Sequence, residues 1–115
     1  MTRPLITLTT DFGQADGYVA AMKGVILSLC PEARLVDISH DIAPQAICSG
    51  AYVLSTAVSY FPGGAIHLVV IDPGVGSARR PVAVQSQRAF YVAPDNGVLT
   101  LALEQDPAQG AVHLT

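Results

Sequence analysis

Four short segments carry the residue types that do chemistry: Thr9-Thr10-Asp11-Phe12-Gly13, Ser39-His40-Asp41, Asp72-Pro73-Gly74-Val75-Gly76 and Pro94-Asp95-Asn96-Gly97. Asp11 offers a carboxylate that can accept two hydrogen bonds from a ribose diol, a customary task for an acid just beyond a strand. Asp near Gly is equally ordinary turn chemistry. Asp72 ends the apolar run Leu68-Val69-Val70-Ile71, so its carboxyl is expected to be partly desolvated and raised unless a cation stands nearby. Arg79, across a glycine turn, is the candidate cation. Such a pair orients a water in a closed pocket; otherwise it is a structural salt bridge.

The remaining candidates are weaker. Gly74 and Gly76 allow close backbone approach, yet they complete neither GxGxxG nor a P-loop. Consecutive Ser39-His40-Asp41 is no argument for a catalytic triad, whose members meet in space rather than in sequence. A metal site built from Asp11, His40, Asp41 and Asp72 is the minor alternative, without HExxH or other ligand spacing behind it. Pro94-Asp95-Asn96-Gly97 is a strong turn signal, and that turn can also present the Asn96 amide to a ligand. His67 is expected to be a packed histidine, and His113 carries no motif.

The elements that must position these segments show as changes of apolar period. Leu5–Thr10, Leu35–Ile38 and Ile66–Ile71 read as strands, the third apolar on both faces, as in a buried parallel sheet. Tyr18, Met22, Val25 and Leu29 mark one face of a helix that Asp16 caps and Pro31 stops. Ile47, Ala51, Leu54 and Val58 mark a second, broken by Phe61-Pro62-Gly63-Gly64. Val82–Val84 and Phe90–Val92 are further strands, Val98–Glu104 a short helix, and a last strand starts at Ala111. The alternation predicts an α/β fold with a mainly parallel central sheet flanked by helices. The polar segments follow strands, where ligand crevices open in such sheets.

Composition narrows the function classes. The 115 residues make a single domain, 1–115; half are hydrophobic and 13% are charged, which excludes disorder. A net charge of −3 with only one adjacent basic pair, Arg79-Arg80, excludes a phosphate-neutralising face, so no nucleic-acid partner is expected. No apolar run approaches a membrane span. Two cysteines without CxxC context, and no leader pattern, point to a reduced cytoplasmic setting.

Taken together, the chain resembles the S-adenosylmethionine hydroxide adenosyltransferase family, relatives of the fluorinating and chlorinating adenosyltransferases. The resemblance rests on Thr9–Gly13, Met22-Lys23-Gly24, Val36–Ile42, Asp72–Gly76 and Ala93–Gly97, five blocks in order between about residues 5 and 105. It implies attack of water or hydroxide on the ribose C5′ of S-adenosylmethionine, giving adenosine and methionine. The substrate serves without a cofactor or metal. Asp11 matches the ribose-diol aspartate, and Asn96 lies in the adenosyl-site loop. Asp72 and Arg79 match two of an Asp–Arg–His set that positions the water. The positions matching Asp72 and Val75 carry Tyr and Thr in the halogenating relatives; a carboxylate at Asp72 repels halide and suits water.

The family's histidine stands in a Phe-His-Gly-Arg-Asp type motif that does not occur here, and its small C-terminal β domain has no counterpart in these residues. The resemblance therefore implies the N-terminal portion of a homotrimeric enzyme whose sites lie between subunits. The alternatives are a non-catalytic adenosine-binding or assembly module and the metal-dependent hydrolase.

Overall fold

The structure is a computed structural model that describes residues 3–44, 46–71 and 80–114. Strand β1 (Leu5–Thr10) leads into helix α1 (Tyr18–Leu29), strand β2 (Arg34–Ser39) and helix α2 (Ile47–Ala57). Strand β3 (Ile66–Val70), the hairpin pair β4 (Pro81–Ser86) and β5 (Phe90–Pro94), helix α3 (Thr100–Gln105) and strand β6 (Ala108–His113) complete it. These form one sheet of order β2-β1-β3-β5-β4-β6. β2, β1, β3 and β5 run parallel, while β4 is antiparallel to both β5 and β6. The sheet is thus mainly parallel, as expected. Its four parallel strands all deliver their following loops to one edge.

Strand alternation decides which residues meet the helices. Thr7, Thr9, His67, Val69, Tyr91, Ala93, Val82 and Val84 share one face and are buried there. Against them pack Ala51, Leu54 and Val58 from the second helical segment and Val98, Leu99 and Ala102 from the third. The predicted α2 stripe is therefore the observed one. Gly50 lets α2 lie close to the Ile71 side chain, which a Cβ added there would meet.

On the opposite face Leu8 is fully buried, and α1 reaches β2 through an ion pair of Lys23 with Asp37. Beyond β1 no described helix covers this face, and Ile66, Ala83, Phe90, Val92 and Val112 line an apolar groove along it.

The structure corrects three sequence expectations. Val19 is the buried residue of α1, with Met22 and Ile26 half-buried, whereas Tyr18, Val25 and Leu29 are exposed. Almost every α1 position is apolar, so periodicity could not select the face. Gly17, rather than Asp16, is the N-cap, and it makes no side-chain capping bond. β6 begins at Ala108, not Ala111, because backbone pairing with β4 extends to Ser86 through residues of low strand propensity.

Candidate functional site

Thr10, the last residue of β1, is fully buried. Its Oγ1 lies 2.8 Å from His40 Nδ1. The other nitrogen of His40, Nε2, lies 2.7 Å from Asp37 Oδ1. Lys23 Nζ donates to Asp37 Oδ2 at 2.8 Å. A carboxylate only accepts, so His40 donates from Nε2, and the neutral imidazole then presents Nδ1 as an acceptor to the Thr10 hydroxyl. The network thereby assigns the tautomer. The Thr10 oxygen still has lone pairs, and Phe12 N–H donates to it at 3.3 Å. Burial alone would raise the Asp37 carboxyl, but hydrogen bonds from Lys23 and then His40 outweigh it and hold the group below its ordinary value.

A second tie lies beside this chain of bonds. Gly13 N–H donates to the His40 carbonyl at 2.7 Å, from a left-handed backbone with φ of +73° that glycine adopts without strain. The turn carrying Asp11, itself half-buried, is thus anchored on both sides to the loop after β2.

Asn96 does comparable work at β5. Its Nδ2 donates to the Ile71 carbonyl at 2.8 Å, and its Oδ1 accepts from Val98 N–H at 3.1 Å. Both ends of the carboxamide therefore have backbone partners, which pin the turn after β5 to the residue preceding position 72. Asp72 and Arg79, the two residues expected to position the water, lie outside the described residues, as do Gly74, Val75 and Gly76. What the described residues fix is the spacing of the strands that lead to Asp11 and Asn96. β3 pairs with both β1 and β5, so Asp11 and Asn96 follow strands two spacings apart, about 10 Å, with the end of β3 between.

The consecutive triad loses its footing. The acid partner of His40 is Asp37, not Asp41, which is exposed and whose N–H donates to Ser39 Oγ at 3.2 Å; adjacency in Ser39-His40-Asp41 makes no triad. The metal set includes Asp72, which lies outside the described residues; its His40 has both ring nitrogens hydrogen-bonded, to Thr10 and Asp37. Among the described residues no three His, Cys, Asp or Glu side chains gather as a metal site.

The other histidines lie elsewhere. His67 is buried, as expected, with Nδ1 2.7 Å from Thr7 Oγ1 and its ring between Phe61 and Tyr91 at centroid distances of 5.8 and 5.1 Å. Burial, and then the charge of Arg88 against an opposing effect of Asp106, pushes it down to about 4. His113 pairs with Asp95 at 2.9 Å, both exposed, a contact that sequence reading did not anticipate.

The residues of this network without an expected role were Thr10, Lys23 and Asp37. Their signals were present: Lys23 is the one charged residue in α1, and Asp37 and His40 stand three apart across the end of β2.

Comparison with known proteins agrees with this frame. An (R)-S-adenosyl-L-methionine hydrolase of Methanocaldococcus jannaschii is 49% identical over 106 residues, covering 88% of this chain and 40% of that protein. A fluorinase of an Actinoplanes species is 30% identical over 125 residues, covering 89% of this chain and 42% of that protein. The crystal structure of a conserved hypothetical protein from Thermus thermophilus superimposes with a TM-score of 0.90 at 46% identity, over 99% of this chain and 47% of that one. The chain thus spans less than half the length of each of these relatives. Residues 6–115 match the SAM hydroxide adenosyltransferase N-terminal domain, and the chain belongs to that family.

Proposed function

We propose that this chain supplies the N-terminal part of an enzyme that hydrolyses S-adenosylmethionine to adenosine and methionine. The observation that carries the reading is the relative likeness: 49% identity to a hydrolase against 30% to a fluorinase, over nearly the same share of the chain. The chemistry is in-line displacement at the ribose C5′. The sulfonium departs as a neutral thioether and needs no proton, so the protein's tasks are to hold the ribose, place a water opposite the C–S bond and exclude surplus solvent. In this reading Asp11 accepts from the ribose diol, Asp72 and Arg79 orient the water, and the Asn96 turn borders the adenosyl group. Assembly as a homotrimer in the cytoplasm belongs to the same proposal.

The test is adenosine and methionine release from S-adenosylmethionine, quantified by chromatography, with Asp72→Ala beside the unsubstituted protein. Release that vanishes in the variant supports the assignment; release that persists unchanged removes Asp72 from it. A second reading, adenosine binding without turnover by this chain alone, is favoured by its spanning less than half the length of the relatives it matches. Calorimetry with adenosine separates the two, since binding with no product formed supports only the second.

A further inference from the structure

We infer that His40 and Asp37 are positioning residues for the adenosine site, acting through Thr10 on the turn that carries Asp11. The inference rests on the proposed role of Asp11, but its mechanical part stands on geometry alone. Four side chains from α1, β2, the loop after β2 and β1 form one directed series: Lys23 to Asp37 at 2.8 Å, His40 to Asp37 at 2.7 Å, and Thr10 to His40 at 2.8 Å. The series ends on the residue immediately before Asp11. From there the Thr10 oxygen accepts the Phe12 N–H, on the other side of Asp11, and the His40 carbonyl accepts the Gly13 N–H. His40 thus touches the turn twice, by side chain and by main chain.

Burial separates this from a surface decoration. The His40 side chain is fully shielded and Thr10 is fully buried, whereas Asp37 and Lys23 remain about one-third exposed. The shielded imidazole is therefore the rigid element, and the Lys23–Asp37 pair fixes its tautomer and orientation from the outside. A metal-binding histidine is oriented by a carboxylate in the same manner; here the oriented nitrogen holds a hydroxyl instead. A carboxylate meant to grip two vicinal hydroxyls must have its own backbone fixed to a fraction of an ångström, because misplacement by about 1 Å is costly for any positioned group.

The variants follow from the geometry. His40→Ala removes the imidazole. His40→Asn places a carboxamide oxygen near the position of Nδ1 and so can keep the Thr10 bond. Thr10→Val deletes the hydroxyl at nearly constant volume. The primary measurement is amide hydrogen exchange at Phe12 and Gly13, with amides of α2 around Leu54 as the internal reference. In His40→Ala and Thr10→Val the Phe12 amide should exchange at least about tenfold faster than in the unsubstituted protein while the reference stays fixed. His40→Asn should return it most of the way. Unchanged exchange at Phe12 in both His40→Ala and Thr10→Val would overturn the inference, as would equal acceleration at the reference, which means general loosening.

The second measurement is the dissociation constant for adenosine, expected to rise about tenfold in His40→Ala and only slightly in His40→Asn. Unaltered affinity alongside accelerated exchange would show that the network holds the turn but does not serve the ligand, overturning the positioning role. An unsubstituted protein that binds no adenosine would instead remove the substrate reading, and the exchange result would still decide whether His40 fixes the turn.

Discussion

A carboxylate that grips a ribose loses more than one bond when it is removed. Asp11→Ala should weaken adenosine binding by about 1.5–3 kcal/mol, the range for hydrogen bonds to a charged group, measurable by calorimetry. Asp11→Asn should retain part of the affinity, because the carboxamide keeps one acceptor. A different residue governs acid stability. His67 titrates near 6.5 when unfolded and near 4 when buried between Phe61 and Tyr91. The unfolded chain therefore binds the extra proton first, so stability is complete above about pH 6.5 and declines as the pH falls towards 4, by about 3 kcal/mol in all. Urea unfolding across that range should show the decline, and His67→Phe should flatten it. At this scale the sequence displayed Asp11 and Asn96 openly, since both stand in polar turns after apolar strands. Thr10 was hidden, because a strand residue looks the same whether it meets water or a buried histidine 30 positions away, whereas Asp37 stands only three positions from His40.

The helices show where patterning informs and where it fails. α2 has a clean apolar stripe on a partly polar background, and that stripe became the core. Leu54 is fully buried in it, so Leu54→Ala should cost about 2–5 kcal/mol in denaturant unfolding. Gly50, on the same helix, meets Ile71 so closely that Gly50→Ala must displace the Ile71 side chain or the helix. A loss of about 1–3 kcal/mol is expected, together with slower adenosine release in any preparation that turns over S-adenosylmethionine, because Ile71 precedes position 72 and also receives the Asn96 bond. α1 is the opposite case. Its residues are apolar nearly all round, so spacing alone pointed to Tyr18, Val25 and Leu29, and tertiary contact chose Val19 instead. Asp16 was similarly persuasive as a cap and is displaced by Gly17.

Among the described residues, the sheet is covered along one side and only partly along the other. Phe90 is 43% exposed and Val112 60% exposed on the open groove, the kind of contiguous apolar patch that promotes association. Sedimentation velocity should show a weight-average mass that rises with concentration, and Phe90→Lys should reduce that rise without lowering the melting temperature. Alternation of strand and helix gave the fold class from sequence, but strand order and the antiparallel β4 depended on long-range pairing that no local window contains. The network around Asp11 has a further consequence, for the time course of folding. All its members lie between Thr10 and His40, and its widest link closes 30 residues, against 60 for the contact between Thr7 and His67. Short closures are reached sooner in a folding chain. The β1–α1–β2 corner is thus able to form while the chain is still being synthesised, before β3 has left the ribosome, so that the turn carrying Asp11 serves as a template on which later strands assemble.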